Sequence, residues 1–241
     1  MKNISTIRDV AITQLENSDY LVTAVDSCGS IGEKPADEIN VDLKTVGLFT
    51  TRVALLEVLS VGAVPVCVSV AICNEPETAQ GVLSGVEQAL SEYINIPKVI
   101  STEKNMATCM TALGITITGI CKQENLRIGT AKRGYNLYCA GMPFVGQETL
   151  AENAPMFEPR HMKTLFSKSP VHSIMPVGSR GIAAEAQILA KESKLDLLLF
   201  DKTGLNLNKS AGPASCVLFS VEGNCEDYKL DIPVTLIGRL E

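Results

Sequence analysis

The side chains whose types and spacing allow chemistry are mostly oxygen-bearing: Asp9, Asp26, Asp42 and Glu57, followed by Glu103 and Asn105. Most of them stand near strand ends and Gly-containing turns. Hard oxygen ligands of this kind suit Mg²⁺, which one or two carboxylates hold while substrate phosphates and water complete the octahedron. Asp42 has a simpler reading as the cap of a helix beginning near Thr45. Glu57 lies inside the apolar run Val53–Leu59, where an unpaired carboxylate is costly, so it requires a partner or a metal. Only two histidines occur, His161 and His172, and each reads as a surface or satisfied core residue rather than a catalytic base. No GxxxxGK[ST] loop, GxGxxG turn, GxSxG elbow or HExxH helix is present.

The elements that must position these residues follow from periodicity and turn chemistry. Residues 20–26 (YLVTAVD) read as a strand ending in an acid, with Ser-Cys-Gly-Ser turn chemistry after it. The spacing predicts an apolar helix over 45–61 stopped by Gly62, a buried strand over 65–72, a helix over 75–93 and a strand from 97. Further strands are expected at 111–119 and 136–140, a connection at 149–159, and then a second unit with a strand at 172–177, a helix at 180–193 and strands at 195–200, 214–221 and 233–237. The expected division is a first domain over 1–145 and a second over 158–241.

Composition sets the outer bounds. The 241 residues are 46% apolar and 20% charged, which supports a folded core and excludes disorder as the main state. The net charge of −6 and the lack of a basic cluster argue against a nucleic-acid footprint. The longest apolar stretch, 53–73, is broken by Glu57, Ser60, Gly62 and Pro65, so no membrane span is expected. The polar N-terminus carries no apolar signal core, which gives a cytoplasmic expectation. Eight cysteines without CxxC spacing then read as reduced thiols, those at 67, 109, 139 and 216 lying in apolar, strand-like runs.

Several segments resemble the ATP-binding superfamily of aminoimidazole ribonucleotide synthetase, thiamine-monophosphate kinase, selenophosphate synthetase and the hydrogenase-maturation dehydratase. Asp26-Ser27-Cys28-Gly29-Ser30 resembles the strand-end DxxG[ST] of that family. Ile7-Arg8-Asp9-Val10-Ala11 is similar to its IGDDA segment with the second acid replaced. The stretch from Gly47 to Gly62-Ala63-Val64-Pro65 resembles a helix that carries an Asn-Asp pair, here Leu56-Glu57. The GGDT turn falls on Glu103-Lys104-Asn105-Met106, a DxSDGGL turn falls on Val177–Ala183 with both acids gone, and Arg127 with Gly134 matches an Arg-x-Gly-Ala-x-x-Gly-Asp stretch loosely. Within the superfamily, Thr51–Glu57 and Ser101–Asn105 look most like the α-ribazole kinases of cobalamin salvage.

The resemblance implies an α/β (α+β) protein in two parts with an aminoimidazole ribonucleotide synthetase-like fold. An N-terminal sheet-and-helix domain would bind ATP and form a homodimer, and a smaller C-terminal α/β domain would follow. It implies ATP and Mg²⁺ as cofactors and transfer of the γ-phosphoryl group to the 5′-hydroxyl of α-ribazole. Such transfer needs a metal, a cation for developing charge and a group that orients the hydroxyl. The expected metal ligands are Asp9, Asp26 and Glu57, and Asp26, Gly29, Ser30 and Lys104 are expected at the nucleotide. Lys104 or Arg52 is expected near phosphate oxygens, and Glu103 or Asn105 orients substrate. The alternatives are another kinase or ligase of the superfamily, thiamine-monophosphate kinase-like or aminoimidazole ribonucleotide synthetase-like, and a non-catalytic nucleotide-binding regulator.

Overall fold

The computed structural model describes residues 3–4, 8–93, 95–167, 171–225 and 230–241, with 3–4 as backbone only. The chain divides into two compact units, one made of Met1–Val58 with Ala63–Gln123, the other of Leu59–Gly62 with Glu124–Glu241.

The first unit holds strands β1 (Asn3–Ile4), β2 (Val10–Gln14), β3 (Tyr20–Gly29), β4 (Ile31–Gly32) and β5 (Ile39–Asn40). Helix α1 (Leu43–Ser60), strand β6 (Val64–Ile72), helix α2 (Ala79–Ala89) and strands β7 (Lys98–Thr102) and β8 (Ala112–Cys121) follow. Six strands form one sheet in the order β1-β2-β3-β8-β6-β7, and β4 pairs with β5 separately. Only β6 and β7 run parallel within that sheet, as a strand–helix–strand crossover requires, and β8 is inserted antiparallel between β3 and β6.

Alternation decides which face is covered. Val10, Ile12, Val22, Ala24, Val68, Val70, Leu113, Ile115 and Ile117 are buried on one face. Helix α1 lies on this face: a Cβ at Gly119 would come within 2.7 Å of Val58 Cγ1. Helices α1 and α2 cross through glycines. A Cβ on Gly85 would meet the Lys44 carbonyl at 2.0 Å, and one on Gly47 the Val82 carbonyl at 2.2 Å. Asp42 caps α1 as expected, its carboxylate accepting from the Thr45 amide and hydroxyl at 2.8 Å each. Those hydrogen bonds hold its carboxyl below the ordinary carboxylate range.

The second unit holds β9 (Asn136–Gly141), α3 (Pro159–Ser167), β10 (Val171–Pro176), α4 (Gly181–Glu192), β11 (Leu197–Leu199), β12 (Cys216–Val221) and β13 (Val234–Leu240). Its five-stranded sheet, in the order β10-β12-β9-β13-β11, is antiparallel throughout. Helix α4 buries Ile182, Ala186 and Leu189 in a core with Leu137, Cys139, Cys216, Leu218 and Ile237. The division falls at residues 123/124 rather than between 145 and 158, because β9 pairs with β12 and β13 and so belongs to the second sheet. All eight cysteines are free thiols, but Cys109 lies exposed outside any strand, as does Cys73. Among the described residues no helix is long and apolar enough to cross a membrane.

Candidate functional site

Sheet register places most of the expected site residues at one end of the first unit. Gly29 pairs with Ala112, Leu113 with Ile72, and Ile72 with Thr102, so β3, β6 and β7 all end level with the start of β8. The turn after β3 carries Gly29 and Ser30, and the segment after β7 carries Glu103, Lys104 and Asn105. Three strand spacings separate the two, about 14 Å. Asp9 stands one residue before Val10, whose partner is Ala24, which brings it to the same end.

Asp26 points to the helix-covered face, in phase with Tyr20, Val22 and Ala24. Burial, opposed by a hydrogen bond from the Ser27 amide and reinforced by the Asp9 charge, pushes its carboxyl up to about 6. The Asp9 charge acting on Asp26 would favour a ligand that brings positive charge to this end of the sheet. Cys28, two residues on along the same face, bonds the Thr50 side chain, and burial followed by the Asp26 charge raises its thiol.

Glu57 stands apart from this pair. Thr50 is level with Cys28 and Val58 is level with Gly119, the partner of Val22, so Glu57 lies towards the other end of the strand from Asp26. Among the described residues no three His, Cys, Asp or Glu side chains are grouped for a metal ion. Of the three expected metal ligands, Asp9 and Asp26 share this end of the sheet, and carboxylates of this kind with phosphate oxygens and water would suit Mg²⁺. Arg52 is 1% exposed, a guanidinium inside the unit near the Phe49 ring rather than a cation presented at a surface. Glu103 is engaged by its own turn: Oε1 accepts from the amides of Asn105 at 2.6 Å and Met106 at 3.0 Å, which lowers its carboxyl. Lys104 and Asn105 are exposed.

Sequence reasoning missed the side chains that build the surroundings of this strand end. Lys34, Asp37, Asn74, Glu75, Thr108 and Thr111 form one hydrogen-bonded group linking three loops. Their only local signals are turn residues, Pro35 before Asp37 and Asn74-Glu75-Pro76 after β6, and nothing in the linear order joins positions 33 to 74 residues apart.

In the second unit the Val177–Ala183 turn places Arg180 where the resembling motif has an acid. Its Nε donates to Glu185 Oε1 at 3.0 Å, and Glu185 is buried within α4. Arg127 is a structural cation, its Nη1 donating to the Val171 carbonyl at 2.6 Å and its guanidinium stacked 4.7 Å from the Phe166 ring centre. Both histidines are satisfied. His161 Nδ1 accepts from the Glu158 amide at 2.8 Å, its Nε2 lies 2.7 Å from Asp231 Oδ1, and His172 Nε2 lies 3.2 Å from Tyr135 Oη.

No protein-family model matches the chain, and no curated protein sequence does. Solved structures do match across nearly its whole length. AaThiL complexed with AMPPCP and TMP is 17% identical over 98% of this chain and 85% of that one, with a TM-score of 0.66. The thiamine-monophosphate kinase from Stenotrophomonas maltophilia K279a is 15% identical over 99% and 88%, with a TM-score of 0.65. The hydrogenase maturation protein HypE is 15% identical over 91% and 79%, with a TM-score of 0.67. The chain thus has the aminoimidazole ribonucleotide synthetase-like fold, a mixed α/β architecture.

Proposed function

We propose that this chain is an ATP-dependent small-molecule phosphotransferase whose nucleotide site lies at the β3 end of the first unit. The observation that carries the reading is the Asp9–Asp26 carboxylate pair at the strand end that leads into the Gly29–Ser30 turn. The fold supports it, since AaThiL, similar over 98% of this chain, is complexed with AMPPCP, an ATP analogue. Asp9 and Asp26 would hold Mg²⁺, which when bound neutralises phosphate charge. Gly29 and Ser30 would place backbone against the phosphates, and Lys104 is the exposed cation on the facing segment. Glu103 orders the 103–106 turn and also bonds the Asn105 side chain, so the two would orient an acceptor as a unit.

The fold likeness favours a thiamine-monophosphate kinase-like acceptor over α-ribazole, whose support is confined to the Thr51–Glu57 and Ser101–Asn105 segments. A non-catalytic nucleotide-binding regulator is the second reading, favoured by Arg180 and its ion pair standing where the resembling turn has acids. Calorimetric titration with ATP, with and without Mg²⁺, tests the site. Mg²⁺ should strengthen binding in the wild type, and Asp26→Asn should remove most of that coupling. Equal Mg-ATP affinity in the variant would place the site elsewhere. Incubation with ATP, Mg²⁺ and thiamine monophosphate, α-ribazole or formylglycinamidine ribonucleotide, with products identified by mass, then separates the acceptors. Binding without turnover of any of them supports the regulator.

A further inference from the structure

Residues 103–111 join β7 to β8 without regular pairing, yet every irregular segment must satisfy its backbone groups. Here side chains from two other loops do so. Glu75 grips Thr108 with both oxygens, Oε1 accepting from the amide at 2.9 Å and Oε2 from the hydroxyl at 2.7 Å. Asp37 grips Thr111 in the same way, Oδ1 accepting from the amide and Oδ2 from the hydroxyl, each at 2.7 Å. Lys34 joins the two grips, its Nζ donating to Glu75 Oε2 at 2.6 Å and its amide to Asp37 Oδ2 at 2.8 Å. Between them Asn74 donates to Thr108 Oγ1 at 2.8 Å and the Met110 carbonyl at 2.7 Å, and accepts from the Ala112 amide at 2.9 Å.

This double clamp borders the strand end that carries Gly29 and Ser30. The Ser30 amide donates to the Thr111 carbonyl at 2.9 Å, and a Cβ on Gly32 would lie 2.3 Å from Thr111 Oγ1. The Glu103 amide donates to the Asn74 carbonyl at 3.0 Å, so the same group also fixes the start of the Glu103–Lys104–Asn105 turn. Each clamp carboxylate already accepts on both oxygens, which leaves both in a tethering role rather than a ligand's.

We infer that Asp37, Glu75 and Lys34 are positioning residues of the nucleotide site, holding the Ser30 turn and the 103–111 segment in fixed relation before any ligand binds. The inference rests on the nucleotide site being where it is proposed above. A site ordered beforehand loses less conformational entropy when it takes its ligand. Disabling a clamp should therefore weaken nucleotide binding without touching a residue that contacts nucleotide.

The experiment pairs amide exchange of the ligand-free full chain, followed by NMR at Thr108 and Thr111, with calorimetric titration of Mg-ATP. Wild type should show slow exchange at both amides. Glu75→Gln should accelerate Thr108 and Thr111→Val should accelerate Thr111, each about tenfold or more. Each should also raise the Kd for Mg-ATP about tenfold, the change expected of one charge-assisted hydrogen bond. Thr111→Ser, which keeps the hydroxyl, should behave as wild type in both measurements. Fast exchange in the wild type overturns the clamp, and faster exchange with unchanged affinity in the variants overturns its positioning role. A wild type that binds no Mg-ATP overturns the functional reading itself, and the positioning role falls with it.

Discussion

Individual ionisable groups give the first unit and the second opposite responses to pH. His161 is held neutral by its surroundings: burial lowers its pKa, and its Nδ1 already accepts the Glu158 amide, so a proton there would meet another donor. Asp231 opposes that effect and Arg160 adds to it. A folded pKa below the ordinary His value gives stability that is present above about 6.5 and lost as the pH falls from there. Asp26 has the reverse sign. Its carboxyl is raised from 3.8 to about 6, so its contribution is full below the ordinary Asp value and is lost as the pH rises through about 6. After allowance for solvent screening the Asp26 effect is on the order of 2 kcal/mol. Urea unfolding between pH 4 and 8 should show His161→Gln flattening the acid-side loss and Asp26→Asn removing the loss on the alkaline side. Matching pH profiles for both variants and wild type would refute these assignments.

At the scale of elements, α1 and α2 depend on glycine contacts that carry no chemical role. An added Cβ on Gly85 would meet the Lys44 carbonyl and the Leu48 amide at 2.0 and 2.5 Å, both backbone atoms that cannot rotate away. Gly85→Ala should therefore force the helices apart and cost about 2–3 kcal/mol in urea unfolding, whereas Ser84→Ala, exposed on the next position, should stay within about 0.5 kcal/mol. Equal midpoints for the two variants would contradict the crossing. Most elements were legible in the sequence, because β6 and β8 are dense in β-branched residues, β3 and β12 are short apolar runs next to turn residues, and α1 runs unbroken to Gly62. Helix α3 was not, since nine residues beginning at Pro159 offer too short a period, and β2 was read as a motif rather than a strand. The candidate site was legible where function is local, as at Asp26 and the Asp42 cap. It was illegible where function comes from residues that only folding brings together, as at Asp37–Thr111 and Glu75–Thr108.

For the whole molecule, the face of the first sheet opposite α1 is the one that carries exposed side chains. Register aligns Val25, Thr116, Ser69 and Val99 in one row across four strands, with Thr23 and Thr118 in the next and Leu21, Ile120 and Val64 beyond. Not one of these side chains is charged, and Val25, Val64 and Val99 are 63–64% exposed. Exposed valines on an uncharged sheet face are the mark of an interaction surface. The occupant proposed is a second copy of the same chain, because a twofold axis through the Thr116 row would set one uncharged face against another and leave no charge to desolvate. Light scattering at micromolar concentration should give twice the 25.8 kDa chain mass, and Thr116→Arg, placing a charge at the centre of the face, should give the single-chain mass with an unchanged circular dichroism spectrum. A wild type of single-chain mass, or a variant that stays dimeric, would remove the sheet face from the assembly and leave its exposed valines without a structural account.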